Sequence, residues 1–440
     1  SVTIRFTFFT AVAGSVISSG GDYQDAIWAV GTGAKFEAQG VTLNASGASA
    51  QGITAQNGGT AKMGAGSHIT SVKGGGLVAS SNSSIDFIGG TTAATRNTIT
   101  AGGSYGASAQ QANTTVNLKN TDIKVDRNGA TAYALWAVSS GVINAENVTI
   151  KAADGVYGIV SNGGGKTNLS GDIVIDASSD VAIITDSATS WTKGTGKMAI
   201  KGSLIAQNNG LIDLIMTAGS SLAGAVNSET GTGNLNMTGT AWEMTDDSSV
   251  TNLALANSTV TFNTALDKVA DATTFGKLNV TNLSGTDGVF SLRTNLEDLQ
   301  GDLVSITGTS SGNHGLFINN QAGATVDPTQ ELIVVETADG NANFALKNNV
   351  EAGGYQYGLK ADGNNWALYS TGKATSTTDA SVNIFSGGYL LNYAETQSLL
   401  QRMGDLRQSE DSSGVWARAY GGKFKSNSDE FLSSYDMSYS

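Results

Sequence analysis

The chain of 440 residues contains no cysteine and a single proline, Pro328. Without cysteine there is no disulfide framework, which is typical of a chain that crosses an oxidising compartment while it is unfolded. Proline removes a hydrogen-bond donor from a β-ladder, so its near absence fits long hydrogen-bonded sheets. Charged residues are also scarce, at 14%, against about 25% in ordinary proteins. Because disorder requires high charge and few apolar residues, this composition argues against a disordered chain.

Glycine is abundant, with 57 copies, and apolar residues make up 40% of the chain but are spread thinly and evenly. A solenoid uses such a composition, because each coil contributes only a few inward side chains to a continuous core. The net charge of −13 repels phosphate, and lysine and arginine form no basic stripe, so nucleic acid is not an expected partner. No apolar run approaches the roughly 20 residues of a membrane helix.

The first twenty residues allow two interpretations. Apolar residues at positions 2, 4, 6 and 8 alternate with polar ones, which predicts a strand. The Ala-Val-Ala sequence at 11–13 also fits a signal-cleavage pattern, although a basic region is missing before it. We favour a first strand or cap over a signal remnant and expect that the chain begins within a longer protein.

A short sequence motif recurs along the chain, in which asparagine stands between two mostly apolar residues and a second asparagine or a glycine follows. The central asparagines are Asn117, Asn144, Asn168, Asn236 and Asn279. The residues that follow them are Asn120, Asn147, Gly171, Gly239 and Asn282. The separations between the central asparagines, 27, 24, 68 and 43 residues, approximate multiples of a unit in the low twenties. Such a period is the sequence signature of a solenoid.

Short alternating runs such as Ile173–Ile175 and Val260–Phe262 fill each unit and end at glycine, asparagine, aspartate or serine. The pattern predicts an all-β fold, a right-handed parallel β-helix with on the order of 17 coils and a length of about 80 Å. Glycine is expected at corners that require a positive φ, and the repeated asparagines are expected to stack as amide ladders. A β-propeller is the main competitor, but its period of about 40 residues is not visible.

One amphipathic helix is predicted near the carboxyl end. Its helical period runs through Tyr389, Tyr393, Thr396, Leu400, Met403 and Leu406. The polar run 408–414 ends this pattern, and an alternating pattern that is typical of a strand opens at Val415.

The sequence from Thr240 onward carries a specific resemblance. The segments that carry it are Ala241–Met244, Ser248–Leu253, Phe275–Gly285, Phe290–Thr294, Gly301–Val304, Ser311–His314, Glu331–Thr337, Gly354–Tyr357 and Asn365–Leu368. In order and spacing they resemble the autochaperone at the end of a pertactin-type passenger. The helix-to-strand junction after them resembles that of a type V (monomeric) autotransporter with an AIDA/pertactin-like adhesin passenger. Residues 1–239 resemble this family only in their general character and not in specific segments.

The resemblance implies a domain order. It divides the chain into a β-helix passenger over 1–239, a carboxyl-terminal β-helix and autochaperone segment over 240–385, a linker α-helix over 386–411, and the truncated start of an outer-membrane β-barrel over 412–440. The first two barrel strands are expected at Val415–Gly422 and Phe431–Tyr439.

The resemblance also implies a mechanism of export. The passenger would leave through the barrel lumen with its carboxyl end first, and the autochaperone would fold outside and template the remaining coils. The linker helix would lie in the lumen and turn its polar residues to the pore wall, namely Glu395, Gln397, Arg402, Asp405 and Arg407. Many relatives cut themselves at paired asparagines in this helix, but here Asn392 precedes Tyr393, so that cleavage is not expected.

Aromatic residues concentrate late in the chain. They are Phe344, Tyr355, Tyr357, Trp366 and Tyr369. Because aromatic side chains bury large apolar surfaces, we expect them to build a larger core that caps the β-helix and nucleates the thinner coils.

Residues for catalysis are sparse. A serine protease needs convergent Ser, His and Asp, yet His68 and His314 are the only histidines and no serine lies in a Gly-Asp-Ser-Gly sequence. The adjacent carboxylates Asp246 and Asp247 would point to opposite faces of a strand. No zinc motif, phosphate loop or C-x-x-C is present. We therefore predict no catalytic, cofactor-binding or metal-binding residues, no cofactor and no enzyme activity.

The implied function is that of a self-transported adhesin on the bacterial surface, anchored in the outer membrane through a carboxyl-terminal barrel, which mediates adhesion, autoaggregation or biofilm formation. The expected partners are host-cell or neighbouring-cell surface molecules, further copies of the chain, and its own outer-membrane β-barrel with the machinery that assembles it. Two alternatives stay open: a rigid stalk that recruits a host protein through a region upstream of Ser1, and a β-helix enzyme that cleaves polysaccharides.

Overall fold

The computed structural model describes residues 8–126, 131–262, 274–322, 325–408, 421–427 and 431–439. Strands dominate it: 36 of them join one hydrogen-bonded sheet, and two more form a separate pair. At the amino end each strand pairs in parallel with the strand three places further along the chain, so each full coil has three faces, which we name A, B and C. The arrangement is a parallel β-helix, as the sequence predicts.

Each face is a column of strands. Face A contains β1 (Phe8–Ala11), β4 (Lys35–Ala38), β7 (Thr60–Met63), β10 (Ser84–Ile88), β17 (Lys166–Ser170), β19 (Trp191–Gly196), β21 (Leu211–Met216) and β24 (Thr232–Thr238). Face B contains β2 (Val16–Ser19), β5 (Thr42–Ala48), β8 (His68–Lys73), β11 (Asn97–Ala101), β22 (Ser221–Ala223), β25 (Ala241–Met244), β27 (Thr259–Phe262), β31 (Asn313–Ala322) and β33 (Asn343–Leu346). Face C contains β3 (Ile27–Val30), β6 (Ile53–Gln56), β9 (Leu77–Ser80), β12 (Tyr105–Gln110), β14 (Ala132–Val138), β16 (Val156–Asn162), β23 (Val226–Asn227), β30 (Leu303–Ile306) and β32 (Glu331–Thr337).

Some longer strands continue around a corner. They are β13 (Thr115–Val125), β15 (Val142–Ala152), β18 (Ile173–Asp186), β20 (Met198–Gln207), β26 (Ser248–Ala256) and β28 (Lys277–Asn295). The carboxyl end is closed by antiparallel pairs that involve β29 (Gln300–Gly301), β34 (Val350–Ala352), β35 (Tyr355–Asp362) and β36 (Asn365–Ala374). A helix, α1 (Ser376–Gln408), follows, and then the separate antiparallel pair β37 (Gly422–Ser426) and β38 (Tyr435–Tyr439).

The coils are longer and fewer than the sequence predicts. Thr10 and Asn282 lie eleven pairing steps apart on face A, which gives about 25 residues per coil. On face B the stack from Ile17 to Leu346 takes thirteen steps, which at about 4.8 Å per step extend over about 62 Å. The prediction of about 17 coils and 80 Å is therefore wrong, because corner loops lengthen some coils and the chain after Glu331 also folds back into antiparallel pairs.

The core is a set of ladders made of identical or similar inward side chains. On face B one ladder runs in register through Ile17, Leu43, Ile69, Ile99, Ile123, Ile150, Ile175, Ile200, Leu222, Trp242, Val260, Phe290, Leu316 and Leu346. From Leu43 to Leu316 each member exposes at most 2% of its surface. Burying one such side chain contributes about 1.5–3 kcal/mol, so the sparse apolar content is concentrated where it stabilises the stack.

The corner between faces A and B confirms the expected role of glycine. The asparagine or glycine that follows the central asparagine of the recurring motif adopts a positive φ at four of its five occurrences, namely Asn120 (48°), Asn147 (54°), Gly171 (74°) and Gly239 (58°). Glycine has no Cβ to oppose this left-handed conformation, and asparagine tolerates it better than most residues.

The corner between faces C and A accepts only small residues. From β4 to β24, the residue before each strand that begins on face A is Ala34, Gly59, Ser83, Thr114, Gly141, Gly165, Ser190, Gly210 or Gly231. A Cβ on Gly165 would lie 1.9 Å from the carbonyl oxygen of Ala137 in the preceding coil. At Ser190 the buried hydroxyl instead accepts a hydrogen bond from the Gly164 amide at 2.9 Å. Close stacking of the coils at this corner therefore restricts the residue type.

Helix α1 begins ten residues earlier than the linker helix predicted over 386–411. Thr375 caps it, because its Oγ1 accepts a hydrogen bond from the Thr378 amide at 3.1 Å, and Asp379 lies in the first turn near the positive end of the helix dipole. The small polar residues of this first segment hide the helical period in the sequence. The described helix ends at Gln408.

Helix α1 exposes both polar and apolar side chains, including Glu395, Gln397 and Tyr389. The predicted position of this helix in a pore stays a prediction, and the side chains of Arg402 and Asp405 lie outside the described residues. Among the described residues no helix has the length and hydropathy of a membrane span.

The strands predicted after the helix are only partly covered. Most of the strand predicted at Val415–Gly422 lies outside the described residues. Within the strand predicted at Phe431–Tyr439, residues 435–439 form β38, which pairs in register with β37.

We expect that Gly165→Ala destabilises the β-helix by about 1–3 kcal/mol, because the new methyl group collides with backbone atoms that cannot move without separating two coils. Thermal unfolding followed by circular dichroism measures this loss. Gly20→Ala is the matched control, since its Cβ would meet only Ser46 Oγ, at 3.7 Å. Equal melting temperatures for the two variants would contradict the tight corner.

Candidate functional surface

A continuous stripe of polar side chains follows face A. Its members occupy one register position in successive coils: Glu37, Lys62, Asp86, Asn117, Asn144, Asn168, Lys193, Asp213, Asn234, Asn252 and Asn282. From Lys62 to Asn234 the two residues beside each member along the strand are buried, because side chains alternate between the faces of a strand. We call this set the polar stripe. It presents hydrogen-bonding groups at intervals of about 4.8 Å.

The middle of the polar stripe is an asparagine ladder, as the sequence predicts. The Asn117 amide donates to Asp86 Oδ1 at 2.7 Å, Asn144 donates to Asn117 Oδ1 at 2.8 Å, and Asn168 donates to Asn144 Oδ1 at 2.9 Å. The Trp191 indole N–H donates to Asn168 Oδ1 at 3.3 Å. Each amide carries two N–H donors, and the ladder uses one of them, so a second donor remains on every asparagine.

A second asparagine ladder lies near the carboxyl end of the stripe. Asn252 donates to Asn234 Oδ1 at 2.7 Å, Asn282 donates to Asn252 Oδ1 at 2.9 Å, and the Thr309 amide donates to Asn282 Oδ1 at 3.1 Å. The prediction that Asn236 and Asn279 belong to the ladder is wrong. Asn236 pairs with Ala254, and Asn279 pairs with Ser249 and Ser305.

At the corner between faces A and B a short ladder of the same kind forms. Asn147 donates to Asn120 Oδ1 at 3.1 Å, and the Asp172 amide donates to Asn147 Oδ1 at 2.9 Å. The recurring sequence motif includes both Asn120 and Asn147, but it does not indicate that they stack beside the polar stripe.

Along the polar stripe, charged side chains either alternate in sign or are separated by the neutral amides of asparagine. Lys62 separates Glu37 from Asp86, and Lys193 stands next to Asp213. The Lys193 ammonium also lies 5.2 Å from the centre of the Trp191 ring, and that of Lys166 lies 4.4 Å from it. No group of three or more metal-ligating side chains occurs among the described residues.

The residues considered for catalysis lie apart. His68 and His314 both belong to face B, but about ten coils, or about 48 Å, separate them. Asp246 and Asp247 serve a turn, because Asp246 accepts the Asp247 amide at 2.8 Å and Asp247 accepts the Lys277 amide at 2.7 Å.

The carboxyl end of the β-helix contains a cluster of aromatic rings. Phe344 lies 5.6 Å from His314, 6.3 Å from Phe290 and 5.9 Å from Trp366, measured between ring centres. Phe344 and Tyr357 are buried, while Tyr355 and Trp366 are partly buried against the core. Tyr369 lies outside this cluster, with the Lys360 ammonium 5.4 Å from its ring centre.

A buried ion pair connects the same region. Asp302 is fully buried and accepts hydrogen bonds from Arg293 Nη2 at 2.7 Å, from the Arg293 amide at 2.7 Å and from the Gly276 amide at 2.7 Å. Asp302, which follows β29, is thus connected both to Arg293 near the end of β28 and to Gly276, which precedes β28. The sequence pattern does not reveal the pair, because Arg293 lies in β28 and Asp302, nine positions later, lies between β29 and β30.

His314 is buried within the aromatic cluster in its neutral form. Its Nε2–H donates to the Ser311 carbonyl at 3.1 Å, and its Nδ1 has no hydrogen-bond partner. Burial lowers the pKa of His314 below its ordinary value, and the Ser311 carbonyl and Asp287 oppose this shift in part. Protonation would therefore place a second N–H in surroundings that offer it no acceptor.

We expect that the stability of the carboxyl end falls as the pH drops from about 6.5, the ordinary pKa of histidine, through the lower pKa of folded His314. The unfolded state binds the proton at higher pH than the folded state, so the free energy of unfolding decreases with acidification. Thermal melts between pH 5 and 8 measure this slope, which His314→Gln should reduce. Parallel curves for wild type and His314→Gln would contradict the expectation.

Comparison with known proteins identifies the family. The pertactin family model matches residues 250–370. The chain is 40% identical over 432 residues to the probable autotransporter YcgV of Escherichia coli K12, which covers 87% of this chain and 44% of that protein. It is 27% identical over 446 residues to the BrkA autotransporter of Bordetella pertussis, covering 92% of this chain and 42% of that protein. The autotransporter adhesin/invasin TibA of Escherichia coli is 32% identical over 215 residues, which are 48% of this chain and 21% of that protein.

The chain thus spans less than half the length of these relatives. Shorter matches, over 43% of this chain, include two Escherichia coli autotransporters named as serine proteases, Sat and Pet. The resemblance seen in the sequence is confirmed, and the localisation that it implies is the bacterial cell surface, where the passenger of an outer-membrane-anchored protein is exposed. The chain is the passenger-type region of a type V autotransporter, and its residues 250–370 carry a pertactin domain.

Proposed function

We propose that this passenger is an adhesin that holds a bacterium to neighbouring cells or to a host surface, with autoaggregation and biofilm formation as the result. The observation that carries the proposal is the polar stripe, which runs through eleven successive coils of face A without interruption. A flat and regular surface of this kind suits contact with another extended surface.

Many weak contacts explain how such a surface holds a cell. One hydrogen bond contributes only about 0.5–1.5 kcal/mol, because it replaces bonds to water. A rigid rod that offers donors and acceptors in register makes the later contacts intramolecular once the first one has formed. The alternation of Glu37, Lys62 and Asp86 additionally opposes alignments that bring like charges together.

No enzyme activity is part of the proposal. Along the polar stripe the carboxylates are interrupted by lysine or asparagine, which argues against the carboxylate pair of a polysaccharide-cleaving enzyme there. The partners we propose are surface molecules of a host cell or neighbouring cell and further copies of the passenger.

We also propose the division of labour that the resemblance implies. Residues 1–239, which carry most of the polar stripe, would supply the contact surface. The autochaperone, which the resemblance places over 240–385, would end at Thr375, where the helix begins. The helix from Ser376 would be the linker, and residues 412–440 would begin the membrane anchor. The aromatic cluster and the Arg293–Asp302 pair support the autochaperone role, because they give this segment a larger and more tightly fastened core than the coils before it.

We expect that bacteria displaying the passenger clump, and that the double substitution Lys62→Glu and Lys193→Glu weakens clumping. The change places three carboxylates in adjacent coils at residues 37, 62 and 86, and two at 193 and 213, so two facing stripes repel each other. Sedimentation of standing cultures measures the effect.

The matched control is Lys151→Glu with Lys201→Glu. These exposed lysines flank Asp176 in one column of face B, so the control adds the same charge in a similar pattern on another face. Equal clumping by both variants would contradict a role of the polar stripe in clumping. A wild-type passenger that neither clumps nor binds host cells would instead favour the rigid stalk.

We expect that Asp302→Asn slows folding of the whole passenger. Breaking a buried ion pair costs about 3–5 kcal/mol, and under the autochaperone proposal these contacts form in the folding nucleus. Leu43→Ala is the control, because it removes a buried side chain from the amino-terminal coils at a cost of about 2–5 kcal/mol. It should mainly accelerate unfolding. Stopped-flow refolding separates the two, and unchanged folding rates for Asp302→Asn would contradict nucleation at the carboxyl end.

A further inference from the structure

The outward side of face C differs from that of face A in the middle of the rod. Four aromatic side chains from three successive coils gather there: Tyr105 from β12, Tyr133 and Trp136 from β14, and Tyr157 from β16. We call them the aromatic platform. The ring centre of Trp136 lies 5.1 Å from that of Tyr105 and 5.4 Å from that of Tyr133, and Tyr133 lies 5.9 Å from Tyr157. All four are partly exposed to solvent.

The apolar character of the aromatic platform continues along the rod. The register position of Trp136 is held in the next three coils by Val160, Ile184 and Ile205. Ile184 and Ile205 are partly exposed, whereas Val160 exposes only 6% of its surface. The equivalent position on face A is occupied by the amides and charges of the polar stripe. Solubility alone would favour polar residues at both places, so a strip of this composition points to a partner.

A row of hydrogen-bonding side chains lies beside this strip. Two positions further along the strands, about 6.8 Å away, stand Gln110, Asn162, Asp186 and Gln207, and Val138 of β14 interrupts this row between Gln110 and Asn162. The row is held in place by local bonds: Asn162 Oδ1 accepts the Trp136 indole N–H at 3.0 Å, and Gln207 donates to Asp186 Oδ2 at 3.1 Å. The surface therefore offers apolar rings and planar amides side by side.

The near absence of charge on this part of face C restricts the class of partner. Within the face-C segments 77–80, 105–110, 132–138, 156–162, 181–186 and 203–207, Asp186 is the sole ionisable group other than tyrosine. Burial raises the pKa of Tyr105 and of Tyr133, so both hydroxyls stay protonated and neutral. In a chain with a net charge of −13, this nearly uncharged area offers no counter-ion to an anionic ligand and no carboxylate cluster to a cationic one.

We propose that the aromatic platform binds a neutral glycan, a chain of uncharged sugar units that lies along face C. Sugars present apolar C–H faces and a rim of hydroxyl groups, which match a strip of rings and the row of amides beside it. The inference rests on the adhesin function proposed above and gives that function a chemical class of partner. A second copy of the chain fits less well, because a stable protein interface requires about 800 Å² per partner and the platform is only three coils long.

Affinity electrophoresis tests this proposal. The purified chain is run in native gels that contain dextran, starch, galactomannan or xyloglucan, and retardation relative to a gel without polysaccharide gives the affinity. We expect retardation by at least one of them. Trp136→Leu with Tyr133→Leu should weaken it roughly tenfold or more, while the apolar side chains keep the face covered. Binding should not change with added salt, since screening acts on charges.

The matched control is Trp28→Leu. Trp28 occupies the same register column of face C at the amino end, is 55% exposed, and has Thr54 rather than an aromatic residue in the next coil. It should bind like the wild type. Melting curves establish that every variant is folded.

Four outcomes would overturn the proposal. These are no retardation of the wild type by any neutral polysaccharide, unchanged retardation of the Trp136 and Tyr133 variant, equal weakening by Trp28→Leu, or a dimer in sedimentation that this variant converts to a monomer. The last outcome would assign the platform to a second copy. Clumping of bacteria that display the wild-type chain is measured in parallel. Clumping without glycan binding would contradict only the glycan proposal, and glycan binding without clumping would contradict only the aggregation proposed above.

Discussion

Parallel hydrogen bonding between stacked coils is the constraint on which the rest of this structure depends. Every coil leaves a row of N–H and C=O groups on each side, and only another coil in the same register satisfies them. The register is fixed by the inward ladder of face B, from Ile17 to Leu346, since a slip of one residue would turn its members outward. A formed coil is thus a template for the next, and closure of the carboxyl end by antiparallel pairs provides a natural first template.

Tight stacking explains the unusual composition. At the corner between faces C and A, a Cβ on Gly141 or Gly165 would lie 2.2 or 1.9 Å from a carbonyl oxygen of the preceding coil, so a larger residue there would separate two coils. At the corner between faces A and B a left-handed backbone is needed, which glycine and asparagine provide. Glycine and asparagine therefore accumulate in this chain for conformational reasons, and asparagine in addition bonds from coil to coil.

The sequence was sufficient to predict the fold class, the glycine corners and the first asparagine ladder, because each of these repeats with the backbone geometry. It was insufficient where coils differ in length. Between Asn234 and Asn252 a coil takes 18 residues and between Asp86 and Asn117 it takes 31, so a fixed period placed Asn236 and Asn279 in the wrong column and gave too many coils. Alternation also distinguishes inward from outward residues without assigning a face, which is why the aromatic platform, built from residues up to 52 positions apart, was not visible.

Because inward residues are shared by all coils while each outward residue contacts mainly its own and adjacent coils, the outward surfaces can change without loss of the fold. The polar stripe and the aromatic platform use this freedom in opposite ways. The polar stripe keeps hydrogen-bonding groups in register over eleven coils, which suits a long and regular partner and many weak contacts. The aromatic platform concentrates apolar area in three coils, which suits a short stretch of an amphipathic, uncharged partner. A single rigid rod can therefore carry two recognition surfaces whose contacts respond differently to salt, since charges contribute to one and are nearly absent from the other.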